Sequence, residues 1–282
     1  FTDMLDRARS VRPLAGVALA IIDEAQDLTP LQWAAASSLF CDARQVIAAG
    51  DEDQAIHEWA GATIAPILEH AGASEILPVS HRLPRSIHAL AGQVLVRIGR
   101  RREKPNGAAS REGSIHWYGS ASEVNLSRLG SWLLLARARH QLDALAAVAR
   151  RAGVPYLLNG RSSINRELLE AARQYESERT PGSRAWHDAL TGFPLEDREY
   201  LIACRRAGEK LNVPPRVTIE TVHGAKGRQA DHVLLMTDLT QRIDRRAAID
   251  PDPELRVLYV GLTRARETLH IVRATDLYVW RI

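Results

Sequence analysis

The chain has 282 residues, of which 45% are hydrophobic and 25% are charged, values that are typical of a globular protein and exclude a disordered or fibrous one. Its length allows one large domain or two medium-sized domains, each with a core of its own. The 37 basic residues barely exceed the 34 acidic residues, so the net charge of +3 permits nucleic-acid binding without arguing for it.

The two cysteines, Cys41 and Cys204, show neither metal-ligand spacing nor a disulfide framework. They favour a reducing environment, and we expect a cytoplasmic location. No apolar stretch is long enough to cross a membrane, and no signal peptide opens the chain, so no membrane partner is expected.

Two short apolar runs near the start of the chain each end in acidic residues. Residues 17–22 (VALAII) stop at Asp23-Glu24, and residues 45–49 (QVIAA) stop at Gly50-Asp51. Unbroken apolar runs of this length predict strands buried on both faces of a parallel sheet. Because such sheets bind ligands beyond the carboxyl ends of their strands, we expect the two acidic ends to share one crevice.

Paired carboxylates at a strand end suit metal-assisted nucleotide hydrolysis. One of them can hold Mg²⁺ near the phosphates, while the other orients or deprotonates a water molecule. The alternative is an acidic helix cap after an ordinary strand, which a lone Asp-Glu pair would favour. Because a second strand also ends in acidic residues, we favour a nucleotide site over a helix cap.

Farther along the chain, alternating strand and helix patterns predict a mostly parallel sheet covered by helices. Thr29-Pro30 is a plausible helix start, and residues 77–80 are expected to begin a second α/β unit. Residues 165–212 break the alternation with two helical segments, which predicts a small helical insert, whereas residues 100–113 are predicted to form an exposed loop. Further helices are expected at 86–98 and 140–153, and further strands at 131–138, from Val217 onward, at 232–239 and at 268–274.

Five sequence motifs, in order, resemble those of the UvrD/Rep-like superfamily-one helicases. They are DEAQD at 23–27, GDEDQAIHEWAGA at 50–62, LPVSHRLPRSI at 77–87, TVHGAKGRQADHV at 221–233 and VLYVGLTRARETLHIV at 257–272. The resemblance implies an α/β fold with two RecA-like domains of P-loop NTPase type that hold ATP between their parallel sheets. It places the C-terminal part of the first domain at 1–76, the second domain at 77–164 and 213–282, and a small helical insert at 165–212.

The resemblance also assigns roles to individual residues. Asp23 corresponds to the Mg²⁺ ligand, Glu24 to the residue that activates water, and Gln54 to the sensor of the γ-phosphate. Arg82 and Arg264 correspond to arginines that reach the γ-phosphate from the second domain, and Arg264 is preferred over Arg266 for the finger position. The remaining nucleotide-binding candidates are Asp51, His81, Gly227 and Gln229, and the DNA-binding candidates are His57, Trp59, Thr221, His223 and Lys226.

Several positions depart from the family pattern. His57 and His81 stand where relatives usually carry tyrosine, and Gln229 stands where many carry glutamate. No G-x-x-x-x-G-K-[ST] loop occurs in the 282 residues. The resemblance implies that this Walker A segment lies before Phe1. The first residues read like the interior of a helix, which also leads us to expect a piece of a longer protein. On its own, the chain is therefore expected to be inactive as an ATPase.

The expected function is that of the C-terminal portion of an ATP-dependent DNA helicase or translocase. By resemblance, it uses ATP and Mg²⁺, moves 3′→5′, and acts on single-stranded DNA or duplex junctions. Two alternatives remain open: a non-catalytic DNA-binding remnant, and a subunit of a helicase–nuclease.

Overall fold

The computed structural model of the protein describes residues 2–8, 13–66, 74–105, 107–273 and 278–282. Two sheets organise these residues. The strands are β1 (Leu19–Ile22), β2 (Gln45–Ala48), β3 (Ser114–Tyr118), β4 (Trp132–Ala136), β5 (Tyr156–Leu158), β6 (Arg161–Ser162), β7 (Val217–Thr221), β8 (Ala230–Met236) and β9 (Ala265–Val272). The helices are α1 (Thr2–Ala8), α2 (Pro30–Leu39), α3 (Arg85–Leu95), α4 (Leu142–Arg151), α5 (Arg166–Glu178), α6 (Trp186–Ala189), α7 (Leu195–Arg206), α8 (Gln241–Ile249) and α9 (Asp252–Leu262).

Strand pairing confirms the predicted α/β class with mostly parallel sheets. The first sheet consists of β1 and β2 in parallel, and the second has seven strands in the order β3-β9-β8-β4-β7-β5-β6. Each pair in the second sheet is parallel except β5 with β6, which is antiparallel. The carboxyl ends of the parallel strands therefore lie along one edge of each sheet, where binding residues are expected.

Helix α2 begins where the sequence predicts. Thr29 accepts a hydrogen bond from the backbone N–H of Gln32 through its side chain, while the Gln32 side chain accepts from the backbone N–H of Thr29. This reciprocal capping box satisfies two otherwise unpaired donors at the start of the helix, and Pro30 stands at the first helical position.

The prediction that the first two strands are buried on both faces is wrong for the described residues. Ile21 and Ile47 pair in register and share one face of the sheet, where they are 66% and 42% exposed. Leu19 lies on the same face and is also exposed. The described part of the chain leaves this face uncovered, so apolar strand sequence alone did not ensure burial.

The second sheet, in contrast, is covered on both faces. In β4 the side chains alternate: Leu133 and Leu135 pack in one core with α3 and α9, whereas Trp132 and Leu134 pack in the opposite core with α4 and α7. All five residues of β4 are buried, as expected for a central strand of a sheet that lies between two helical layers.

Helices α5, α6 and α7 follow the short strand β6 and precede β7. They share a small apolar cluster formed by Leu168, Leu169, Ala172, Trp186 and Leu201. Tyr200 of α7 packs instead into the core beside the second sheet, so the helical segment is tied to the sheet. The predicted domain limits stay a prediction, since this cluster does not define where a domain begins or ends.

Residues 77–80, expected to begin the second α/β unit, contain an isolated parallel bridge between Val79 and Gly107 and precede α3. One local expectation is corrected by the structure. The stretch 100–113, predicted to be an exposed loop, carries Arg101 and Lys104, which are largely buried against acidic residues of the first sheet. Their burial follows from charge pairing across the two sheets, which local composition does not reveal.

Candidate functional site

The acidic ends of β1 and β2 lie side by side at one edge of the first sheet. Buried Gln26 joins them, because its side-chain oxygen accepts from the backbone N–H of Asp51 at 3.0 Å. Its Nε2 donates to Glu24 Oε2 at 2.5 Å. Gln26 was not among the predicted site residues, although it belongs to the DEAQD motif. Its amide is suited to this position because it donates and accepts at the same time.

Glu24 adopts an unusual backbone conformation for a residue other than glycine. Its φ is 49° and its ψ is 40°, in the left-handed region. The backbone N–H of Glu24 donates to Asp23 Oδ1 at 2.8 Å, so the two carboxylates are held on successive residues at the strand end. Left-handed residues outside glycine cost energy and cluster at functional sites. The Glu24 side chain is itself more than half exposed and therefore accessible to a ligand.

Gln54 lies between the two sheets and bonds to both sides. Its Nε2 donates to Asp51 Oδ2 at 2.7 Å, and its Oε1 accepts from Arg264 Nη2 at 3.1 Å. Arg264 is buried at the turn between α9 and β9, whereas Arg266 is paired with Asp231 at 2.6 Å on another surface. The structure thus brings the preferred arginine, and not its neighbour, to the predicted phosphate sensor.

Two arginines stand close enough to influence each other. Burial, together with the positive charge of Arg82, lowers the pKa of Arg264 to about 10, so Arg264 stays protonated at neutral pH. The Nε atom of Arg82 is buried and has no hydrogen-bond partner among the described residues. Two neighbouring guanidinium groups with an unused donor favour an anion between them, and a phosphate group fits that requirement.

Lys226 comes from the turn after β7 and crosses to the first sheet. Its Nζ lies 2.6 Å from both carboxylate oxygens of Asp27 and 2.8 Å from the carbonyl oxygen of Gln54. It also lies 3.9 Å from Glu24 Oε2. The Lys226 side chain is largely buried against these acceptors, and its predicted role in DNA binding stays a prediction.

Lys104 and Arg101 hold the acidic run after β2 from the side of the second sheet. Lys104 Nζ lies 2.6 Å from Asp51, 3.0 Å from Glu52 and 3.2 Å from Asp53. Arg101 makes a two-pronged contact with Asp53 at 3.0 and 3.1 Å. Sequence reasoning missed both residues, and their only signal was the clustering of basic residues at 97–104.

Three predicted DNA-binding residues meet at the boundary between the two sheets, the seam at which Gln54 and Lys226 also lie. The ring centroid of His57 lies 6.4 Å from that of Trp59 and 6.1 Å from that of His223, while Trp59 and His223 are 6.5 Å apart. Trp59 is 72% exposed. Burial, Arg137 and His57 lower the pKa of His223 to about 4, so His223 is neutral at pH 7. An aromatic cluster that contains a neutral His223 and one exposed indole suits stacking against bases.

The remaining candidates lie around this centre without joining it. Thr221 Oγ1 accepts from the backbone N–H of Gly224 at 3.1 Å and so shapes the turn after β7. Gly227 has a φ of +76°, which favours glycine at that position. Among the described residues, His81 and Gln229 are exposed and take no part in the hydrogen bonds that join Asp51, Gln54 and Arg264.

The described residues contain no group of three or more His, Cys, Asp or Glu side chains arranged to hold a metal ion. Magnesium in nucleotide sites commonly takes only one or two protein carboxylates and completes its shell with water and phosphate oxygens. Asp23, accessible at the end of β1, fits that role as a single ligand. Within the same described residues, no helix is both long and apolar enough to span a membrane.

The fold and the site define an α/β protein in which acidic strand ends of one parallel sheet face arginines held by a second. Residues 15–73 match the family model of the UvrD/REP helicase N-terminal domain, and residues 216–272 match that of the UvrD-like helicase C-terminal domain. These two matches support the expected resemblance, because both matched segments are UvrD-like helicase sequence.

The individual proteins that the chain resembles share little of its sequence. The chain is 23% identical over 320 residues to the ATP-dependent DNA helicase UvrD2 of Mycobacterium tuberculosis and to that of Mycobacterium bovis, covering 87% of this chain and 46% of each relative. It thus spans about half the length of the curated relatives it matches. The solved helicase nonstructural protein 10 of Arterivirus bound to DNA gives a TM-score of 0.44 at 13% identity, covering 94% of this chain and 41% of that chain.

Proposed function

We propose that this chain forms part of an ATP-dependent DNA translocase or helicase that moves on single-stranded DNA, 3′→5′, and acts at duplex junctions. The observation that carries this proposal is the hydrogen bond between Gln54 and Arg264. It joins a residue after β2 of the first sheet to an arginine held by the second sheet. Nucleotide binding at this boundary would therefore depend on the relative position of the two sheets and would also alter it.

Each residue of the seam has a task that its surroundings support. Bound ATP with Mg²⁺ supplies the phosphoanhydride bond that is cleaved. Asp23 would hold the cation, while Glu24, whose carboxylate is accessible beside it, would accept a proton from the attacking water. Arg264 donates hydrogen bonds to the phosphate oxygens and so stabilises the negative charge that develops on them, since its planar guanidinium stays protonated.

The aromatic cluster offers a route from hydrolysis to DNA. Trp59 lies five residues after Gln54 on the same loop, and His223 lies on the turn whose Lys226 bonds to the Gln54 carbonyl oxygen. A change in the position of Gln54 is thus passed to both parts of the aromatic cluster. Stacking of a base on Trp59 is tolerant of sequence, as movement along DNA requires.

The decisive experiment is Glu24→Gln in the full-length polypeptide, with Glu112→Gln as the matched control. Glu112 is an exposed carboxylate paired with Arg85 away from the seam. ATP hydrolysis in the presence of single-stranded DNA should fall by about 10²- to 10⁴-fold in Glu24→Gln, while nucleotide binding persists. Glu112→Gln should behave as the parent.

Two results would contradict the proposal. If the parent hydrolyses no ATP with or without single-stranded DNA, the chain is a non-catalytic remnant. If Glu24→Gln keeps the parent rate, the proton acceptor lies elsewhere. Loss of nucleotide binding together with hydrolysis would show that Glu24 acts in binding and not in activation of water.

A further inference from the structure

Lys104 pairs with three successive acidic residues, Asp51, Glu52 and Asp53, and it lies outside all five helicase motifs. It stands in the segment between α3 and β3, with its side chain 19% exposed. Its Nζ approaches carboxylate oxygens of Asp51, Glu52 and Asp53 within 3.2 Å. Those attractions outweigh burial, which alone would lower the pKa of Lys104, and they raise that pKa above its usual value.

The contact of Lys104 with Asp51 continues through two further hydrogen bonds. Lys104 donates to Asp51 Oδ1 at 2.6 Å, and Asp51 Oδ2 accepts from Gln54 Nε2 at 2.7 Å. Gln54 Oε1 then accepts from Arg264 Nη2 at 3.1 Å. The series starts and ends on the side of the second sheet and passes through the first, which makes it a bridge across the seam.

The chemistry of the ends sets the orientation of the amide in the middle. An ionised Asp51 carboxylate can only accept, so the NH₂ group of Gln54 must face it. The Arg264 guanidinium can only donate, so the oxygen of Gln54 must face Arg264. Burial by itself would raise the pKa of Asp51, but the charge and hydrogen bond of Lys104 hold that pKa below its usual value.

We propose that Lys104 is a positioning residue for ATP hydrolysis, which anchors the Asp51 carboxylate and thereby holds the Gln54 amide in the orientation that engages Arg264. This inference rests on the proposed function, since it concerns the same hydrolytic site. Without Lys104, the Asp51 carboxylate loses the charged donor that holds it at 2.6 Å, and it no longer fixes the NH₂ group of Gln54. The amide is then free to turn its NH₂ group toward Arg264, where two donors face each other and the bond is lost.

Neighbouring cations do not share this role. Arg101 binds Asp53 and not Asp51. Arg102 lies 3.8 Å from Glu52, and its side chain is 41% exposed. Arg102→Met therefore removes a positive charge beside the same acidic run while leaving the bridge from Lys104 to Arg264 intact, which makes it the matched control.

The kinetic test compares Lys104→Met, Lys104→Arg and Arg102→Met in the full-length polypeptide. Lys104→Met should lower kcat by about 10- to 100-fold, the range seen when a supporting partner of a functional group is removed, with little change in KM for ATP. Lys104→Arg should restore much of the rate because it keeps the charge, and Arg102→Met should match the parent.

A double-mutant cycle separates positioning from general support of the fold. In a Gln54→Ala background, Lys104→Met should cause no further loss of kcat, because the group through which it acts is already absent. An additional loss of similar size in that background would overturn the inference. So would parent-like hydrolysis by Lys104→Met in a protein whose Glu24→Gln variant is inactive, a result that leaves the proposed function standing.

A spectroscopic measurement tests the bridge without turnover. The side-chain amide resonance of Gln54, assigned by its disappearance in Gln54→Leu, should shift or broaden in Lys104→Met and stay in place in Arg102→Met. A parent that hydrolyses no ATP would overturn the proposed function. In that case an unchanged Gln54 amide in Lys104→Met would overturn the bridge as well, and a displaced one would retain it as a structural contact.

Discussion

Arg264 donates a hydrogen bond to the side-chain oxygen of Gln54 although 210 positions separate the two residues in the sequence. Both are buried or half-buried, and both bond at the seam between the two sheets. The strength of such a charge-assisted hydrogen bond depends on its distance, so any movement of one sheet against the other alters it. In the proposed function, this contact is the point at which a bound nucleotide and the arrangement of the two sheets influence each other.

The first prediction tests whether Arg264, in the turn before β9, or Arg266, on β9, acts on the phosphate. Arg264→Ala in the full-length polypeptide should lower kcat for ATP by about 10³-fold or more, as expected for an arginine that stabilises transition-state charge. Affinity for single-stranded DNA should change little. Arg266→Ala, which breaks the contacts with Asp231 and Ser131, is the control. Equal losses in both variants would show that the effect is structural.

The second prediction separates DNA binding from hydrolysis. Trp59→Ala should weaken binding of single-stranded oligonucleotides by about 1–3 kcal/mol through lost stacking, with little preference for base identity. Hydrolysis without DNA should be largely preserved. Trp117→Ala, on β3 and also exposed, is the control and should bind as the parent in fluorescence anisotropy. Parent-like binding by Trp59→Ala would move the DNA path elsewhere.

The third prediction is a pH dependence of stability set by the buried His270. Burial, His116 and His232 lower its pKa from 6.5 to about 4. Below pH 6.5 the unfolded chain therefore binds a proton that the folded chain rejects, and stability falls as the pH falls. Between pH 7 and 5, this single residue should reduce the free energy of unfolding by about 2 kcal/mol.

The comparison that checks this dependence uses His270→Phe, which keeps an aromatic ring beside Trp132. Urea unfolding of the chain at pH 7 and pH 5 should show a smaller loss of stability in His270→Phe than in the parent. His140→Asn replaces an exposed histidine and should keep the parent's loss. The same loss in all three proteins would assign the pH dependence to other groups.

The fourth prediction follows from the uncovered face of the first sheet. Leu19, Ile21 and Ile47 form an exposed apolar surface, which should bind the dye ANS and promote self-association. Ile21→Lys should reduce both effects while changing the free energy of unfolding by no more than about 0.5 kcal/mol. Val96→Lys, at an isolated exposed position after α3, should leave dye binding unchanged. Undiminished binding in Ile21→Lys would place the dye site elsewhere.

Local patterns in the sequence were sufficient for most of the elements. The capped start of α2 at Thr29-Pro30, the buried strand β4 and the helices α5 and α7 follow from apolar spacing and terminal residues within a few positions of each other. Strand burial near the start of the chain was not predicted correctly, because exposure of Ile21 depends on what covers the sheet and not on the strand itself.

The sequence by itself determined the acidic strand ends, the motif order and hence the resemblance to UvrD-like helicases, since those are properties of short stretches of residues. Only the tertiary structure decided that Lys226 turns to Asp27, that Gln26 joins the two strand ends, and that Lys104 reaches Asp51 from 53 positions away. Charge pairing between buried groups is set by distance in space and by exclusion of water, because both control the strength of an electrostatic contact. Neither quantity can be read from the spacing of residues along a chain.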